Sequence, residues 1–353
     1  MEYLFEYGMF LAKTATIVLA VFLILGLIVA AGQRRRQMPR GNITVTHINR
    51  ELDSLKDSMQ RVVLDKFAFK KYLKAEKKRE KEEEKQRKQA ADAKAEEDGE
   101  GRRKRIYVLD FEGDMEASGL ESLRQEITAV LTMAEPADEV ILRLESPGGM
   151  VHAYGLASSQ LLRFKEHNIP LTVCVDKVAA SGGYMMACVA DRLIAAPFAI
   201  LGSIGVLVQM PNIHRLLKKN DVDFEMITAG EYKRTLTPFT EVTEKGRDKL
   251  RQDVEEMHVL FKQWVKQYRP VVDIDQIATG ETWVGLQAQQ RNMVDAISTS
   301  DDCIVQACDN ADVYEVSYEI RVPLGERLGG AVQQALDRTL MVWWQRLRTS
   351  KYF

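Results

Sequence analysis

From Ile106 onward the chain alternates short apolar runs with amphipathic stretches, and few folds accommodate that alternation. IYVLDFEG, SLRQEITAVLTMA, DEVILRLESPGG, VHAYGLASSQLLRFKEH and PLTVCVDKVAAS read in turn as strand, helix, strand, helix and strand. Strands separated by helices of this length predict right-handed crossovers and a parallel sheet, so the fold class is α/β. Ligands of such sheets bind beyond the carboxyl ends of the strands. Two glycine pairs fall at those ends: Ser146-Pro147-Gly148-Gly149 after one strand and Ser181-Gly182-Gly183 after the next.

Ser181 sits between two alanines and two glycines, so backbone or substrate can approach it closely, and YMMACVA behind it contains good helix formers. That suits a nucleophile at a helix start. On this fragment alone, however, an ordinary N-cap is the readier reading, with the hydroxyl satisfying a free N–H of the first turn.

A serine nucleophile needs a base and donors for the oxyanion it creates. The chain has five histidines, His47, His152, His167, His214 and His258. His47 precedes the α/β region and the others fall on stretches that read as helices; His152, beside a Gly-Gly loop, is the one candidate for a Ser-His arrangement. Lysine is the alternative, but it is protonated near neutral pH and must be desolvated to act as a base. Lys177 follows Asp176 and reads as solvated or paired. Lys233, in ITAGEYKRTLTPF, lies between apolar and turn residues, and only the fold can bring it to Ser181.

The ordered set SPGG, VAASGGYMMACVADRLIAAPFAILGSIGVL and AGEYKRTLTPF resembles the signal peptide peptidase A family of membrane serine peptidases, and within it the SohB-like branch. The resemblance covers roughly residues 105–312. It implies Ser181 as nucleophile, Lys233 as general base and Ser203 as the residue that helps to hold the lysine. It also implies a Clp protease/crotonase-like fold in which the N–H of Gly148 or Gly149, with that of Gly182, forms the oxyanion hole. Such a hole is commonly worth about 3 to 4 kcal/mol of transition-state stabilisation. ATGETWVGLQAQQRNMVDAI, residues 278–297, is similar to the family's closing motif, with Asn292 where glycine is usual; Asn tolerates a left-handed backbone, so the turn is expected to survive.

The ends of the chain are of another kind. Thr14 to Gly32 carries no charged residue and is long enough for a transmembrane helix, preceded by a short tail, residues 1–13. A cleaved signal peptide is the competing reading, but Glu2 and Glu6 stand where positive charge belongs. Arg34, Arg35, Arg36 and Arg40 follow, which by the positive-inside rule puts the rest of the chain in the cytoplasm, whereas the resemblance implies the periplasm. Residues 33–105 read as a charged helical or disordered linker, 106–312 as the peptidase domain, and 313–353 as a strand and an amphipathic helix with Trp343 and Trp344 among arginines. DRLIAAPFAILGSIGVLVQM, residues 191–210, is apolar enough for a second span, but Pro197, Gly202 and Gly205 favour buried strands.

The residues together with the resemblance imply a membrane-anchored Ser-Lys endopeptidase of a bacterial inner membrane. It would hydrolyse peptides or unfolded segments through an acyl-enzyme, and by resemblance these include apolar segments such as cleaved signal peptides. Its expected partners are peptide or protein substrates, membrane lipid and, by resemblance, further copies of itself. A formal net charge of −2 and interleaved Glu in the linker argue against nucleic acid. The four cysteines, Cys174, Cys188, Cys303 and Cys308, lack zinc spacing and read as free thiols, and the chemistry requires no cofactor. Two alternatives remain open: a crotonase-fold acyl-CoA enzyme, and a membrane scaffold in which Ser181 is idle.

Overall fold

The structure, a computed structural model, describes residues 41–75 and 102–319, with short pieces at 8–9, 13–16, 78, 81–82 and 85. Ile43–Tyr318 form one compact unit; the other, Met1–Asn42 with Glu319–Phe353, lies almost wholly outside the described residues. The expected membrane span at 14–32 is outside them beyond residue 16, as are the C-terminal helix and much of the linker. Among the described residues no helix is long and apolar enough to cross a membrane.

In chain order the elements are β1 (Asn42–His47), α1 (Ile48–Val63), β2 (Arg105–Glu112), α2 (Leu120–Leu131), β3 (Glu139–Glu145), α3 (Val151–Glu166), β4 (Leu171–Val175), β5 (Val178–Ala180), α4 (Gly182–Ala187), β6 (Arg192–Ala195) and β7 (Ile200–Gly202). They continue with α5 (His214–Lys219), α6 (Glu244–Tyr268), α7 (Ile274–Ile277), β8 (Thr282–Val284), α8 (Gly285–Gln290), β9 (Ala296–Ile297), α9 (Ser300–Asn310) and β10 (Asp312–Glu319). The main sheet has the order β1-β10-β2-β3-β4-β6-β9, and every pair from β10 to β9 is parallel. A small sheet, β5-β7-β8, stands beside it, with β5 and β7 parallel and β7 and β8 antiparallel.

The parallel sheet follows from side-chain alternation. On β2, Tyr107, Leu109 and Phe111 join Leu123 and Ile127 of α2 and Leu161 of α3 in the larger core. Ile106 and Val108 face the other way, toward Ile304 of α9 and Val313 of β10. Apolar side chains on both faces give the near-continuous hydrophobic strands seen in the sequence. The apolar run at 191–210 enters as β6 and β7 with Leu193, Ile194, Leu201 and Ile204 buried, but Phe198 and Leu207 are 79% and 74% exposed.

The main sheet also includes β1, which with α1 lies within residues 33–105, and β10, a strand where one was expected after residue 312. Asn49 docks α1: its amide donates to the carbonyls of Cys308 and Ala311 at 3.1 and 3.0 Å and accepts from Val313 N–H at 2.8 Å. The basic run that closes the linker also belongs to the domain. Arg102 clasps the fully buried Asp138 with two bonds of 2.8 and 2.7 Å, and Lys104 pairs with Glu139. Burial alone would push the Asp138 carboxyl up, but the bonds from Arg102 and from the N–H groups of Glu135 and Arg105 bring it down to about 2. The four cysteines are free, with Cys174 and Cys188 buried.

Glu126 on α2 is 5% exposed; one oxygen accepts Tyr318 N–H at 2.8 Å and the other has no partner among the described residues. Burial, against that bond and with a contribution from Asp110, pushes its carboxyl up from 4.5 to about 7. A raised folded-state value means that the stabilisation is whole below the unfolded value and is lost as pH rises through the folded one. Glu126→Gln should therefore remove a loss of unfolding free energy on the order of 2–3 kcal/mol that the wild type shows between about pH 4.5 and pH 7. Parallel pH profiles in urea titrations would contradict this.

Candidate active site

Ser181 follows β5 directly and precedes α4, all six residues of which are buried. It stands at the position of an N-cap without behaving as one. Its φ of 52° and ψ of −119° are not those of a cap, and its side chain makes no capping bond. The N-cap reading of this fragment is therefore overturned. The backbone holds Ser181 at both ends: its N–H donates to Gly202 O at 2.8 Å and its carbonyl accepts Met185 N–H at 3.0 Å. A non-glycine residue in such a conformation costs of order 1–3 kcal/mol and persists where the surroundings over-determine it.

The second glycine element comes up against the first. Gly148 has φ +85°, and a Cβ there would lie 2.6 Å from both Ala180 O and Gly182 N. Gly182 in turn lies on the Tyr154 ring, with no room for a side chain. The Gly148 N–H is already given to Ser146 Oγ at 3.0 Å, whereas the N–H groups of Gly149 and Gly182 have no acceptor among the described residues. Both glycines and Ser181 line a cavity of about 150 Å³ whose remaining wall is mostly apolar, with Met185, Val206, Phe261 and Trp264. Trp264 also donates its Nε1–H to Met185 O at 3.1 Å, tying α6 to the helix behind Ser181.

Ser203 is half-buried, next to the Gly202 carbonyl that holds Ser181, and has φ +50° with its N–H bonded to Glu281 O at 2.6 Å. Lys233 is exposed in the turn that begins at Gly230; it does not line the cavity, and its ammonium has no partner among the described residues. The structure thus groups Ser181, Gly148, Gly149, Gly182 and Ser203 but does not join Lys233 to them. None of the five histidines lines the cavity. His152 is exposed, and His258 gives its Nε2–H to Ile204 O at 3.2 Å. Lys177 is paired with Glu145 at 2.7 Å. Among the described residues no group of His, Cys, Asp or Glu is arranged to hold a metal ion.

The model of the peptidase family S49 N-terminal region matches residues 2–161, and that of peptidase family S49 matches residues 163–314. The probable protease SohB of Haemophilus influenzae is 49% identical over 329 residues, 93% of each chain. That of Buchnera aphidicola from Schlechtendalia chinensis is 57% identical over 200 residues, 57% of this chain and 66% of the relative. This chain belongs to peptidase family S49. Its relatives place it in the SohB-like branch, and it is a peptidase. Among solved structures, a serine-to-alanine mutant of the 1510-N membrane-bound stomatin-specific protease aligns over 58% of this chain and 85% of its own, at 13% identity and a TM-score of 0.41.

Sequence reasoning missed the supports beneath the site of this S49 peptidase. Ser146 and Tyr154 are both 0% exposed; Ser146 stood out only as the first residue of SPGG, and nothing marked out Tyr154. It did anticipate the closing turn: Asn292 adopts φ 57°, and its carbonyl accepts Arg269 Nε–H at 2.7 Å. Arg269 also clasps Asp295, whose carboxylate accepts Leu193 N–H at 2.7 Å and so fixes the start of β6.

Gly148→Ala meets both a positive φ and backbone atoms at 2.6 Å. It should lower unfolding free energy by about 1–3 kcal/mol and cut peptide hydrolysis by about a hundredfold, measured by urea titration and a fluorogenic peptide assay. Wild-type rates in the folded variant would contradict the close contact.

Proposed function

We propose that this S49 peptidase is a membrane-anchored serine endopeptidase in which Ser181 attacks the peptide carbonyl and Lys233 is the general base. The observation that carries the reading is Ser181 itself: φ 52°, no capping bond, and a place in the wall of an apolar cavity shared with two glycines whose N–H groups have no acceptor among the described residues. Gly149 and Gly182 supply the donors to the oxyanion, since the Gly148 N–H is engaged elsewhere. The fold is of the Clp protease/crotonase-like kind, a reading supported by the parallel sheet, the small sheet beside it and the glycine loops at its strand ends.

In the first step the Ser181 Oγ–H proton passes to neutral Lys233 Nζ as Oγ bonds to the carbonyl carbon, and the carbonyl oxygen takes the negative charge beside the two N–H groups. Collapse expels the amine, which takes the proton from Lys233, and leaves an acyl-enzyme on Ser181. Water then repeats the cycle and releases the acid. Ser203 orients the lysine. This requires Lys233, exposed in the single chain, to come to Ser181 and lose its water. The segment that carries it also exposes Leu207, Val208 and Ile227, the last at 97%. Surface of that kind suits burial by a second copy, so a homo-oligomer belongs to the proposal.

Apolar walls suit apolar residues of peptides or unfolded segments, signal peptides among them. The uncharged stretch Thr14 to Gly32 serves as a single anchor in a bacterial inner membrane.

The test is hydrolysis of an apolar fluorogenic peptide by the detergent-solubilised full chain. Ser181→Ala and Lys233→Ala should each lower kcat by about 10³-fold or more. Residual activity near wild type in either folded variant would sink the reading.

A further inference from the structure

Beneath the two glycine loops lies a chain of hydrogen bonds whose direction is fixed. Tyr154 Oη is 2.6 Å from Asp114 O, and a carbonyl only accepts, so the tyrosine donates there. Its single proton is then spent, and the 2.6 Å contact between Ser146 Oγ and Tyr154 Oη has serine as donor. Ser146 Oγ in turn accepts the Gly148 N–H at 3.0 Å. The order is Gly148 N–H to Ser146, Ser146 to Tyr154, and Tyr154 to the Asp114 carbonyl. Burial pushes the Tyr154 hydroxyl up, against the bond from Ser146, which keeps it a donor.

The same two residues also touch the other loop. The Tyr154 ring is the floor under Gly182, and the Ser146 carbonyl accepts Ala180 N–H at 3.0 Å, one residue before Ser181. The Ser146 N–H donates to Val178 O at 2.8 Å, so Ser146 is stitched to β5 at both backbone atoms and to the glycine turn by its side chain. Both side chains are fully buried and neither lines the cavity. They therefore act on the loops and not on a substrate.

We infer that Tyr154 and Ser146 are positioning residues for the reaction, setting the Gly149 N–H and the Gly182 N–H at the separation that the oxyanion requires. The inference rests on the proposed function above. Two donors borne by different loops have no covalent link short of the strands themselves, and this chain joins them through the Ser146 backbone and through the Ser146–Tyr154 side-chain pair. Removing the tyrosine hydroxyl leaves the ring under Gly182 but takes away the acceptor of the Ser146 Oγ–H, so the oxygen that accepts the Gly148 N–H is no longer anchored and the turn, Gly149 with it, loses its fixed position. An effect confined to the transition state follows, because ground-state binding depends on the apolar wall.

The test compares wild type, Ser181→Ala, Tyr154→Phe, Ser146→Ala and the Tyr154→Phe/Ser146→Ala double variant, all as full chains in detergent, with thermal unfolding to identify folded protein. Tyr154→Phe and Ser146→Ala should each lower kcat by about tenfold or more with KM within about twofold of wild type. The double variant should be no slower than the slower single one, because both cut the same chain. Unchanged kcat in a folded variant, a loss expressed in KM, or losses that multiply would overturn the inference. Should Tyr154→Phe not fold, the kcat of Ser146→Ala decides. An inactive wild type, or an active Ser181→Ala, defeats the proposed function itself; a Ser181-dependent wild type with normal Tyr154→Phe and Ser146→Ala defeats only this inference.

Discussion

The backbone of the SPGG turn lies in contact with the peptide between Ser181 and Gly182, and the site is built on that contact. No side chain fits between them: a Cβ on Gly148 would meet Gly182 N, and one on Gly182 would meet the Tyr154 ring. The approach requires β3 and β5 to end at the same level, which the bridge between Ser146 and Ala179 enforces. It also requires Ser181 to hold a φ of 52°, which the Gly202 carbonyl secures by accepting its N–H. Three strand ends and two turns are thus committed to placing Ser181 beside two N–H groups that have no acceptor among the described residues.

The sheet that delivers those ends was readable because parallel strands buried on both faces leave long apolar runs between amphipathic helices. The runs opening at Ile106, Val140 and Leu171 all became neighbouring strands of one sheet. β1 was not readable, since NITVTH is an edge strand with mostly exposed side chains and sits in a stretch whose composition is that of a tether. The same bias hid Arg102 and Lys104, which look like the end of a charged run until Asp138 and Glu139 are seen opposite them.

Within the site, the glycines and Ser181 could be found in the sequence because their chemistry is local. The N-cap alternative to Ser181 could not be settled there, for it turns on a backbone angle. Tyr154 could not be found either, since a tyrosine on a helix facing a core usually does no more than fill it, and Ser146, although part of SPGG, carried no sign of its link to that tyrosine. Lys233 is the opposite case. The resemblance singles it out, yet it stands exposed in a segment whose apolar residues face outward, and the pairing that the mechanism needs depends on what covers that segment.

Reaction of the detergent-solubilised full chain with a fluorophosphonate, followed by mass spectrometry of its peptides, tests the central claim most directly. The account predicts one adduct, on Ser181, in folded wild-type protein, and none in folded Lys233→Ala, because the hydroxyl would then lack its base. An adduct on another serine, or no adduct on folded wild type, would contradict it.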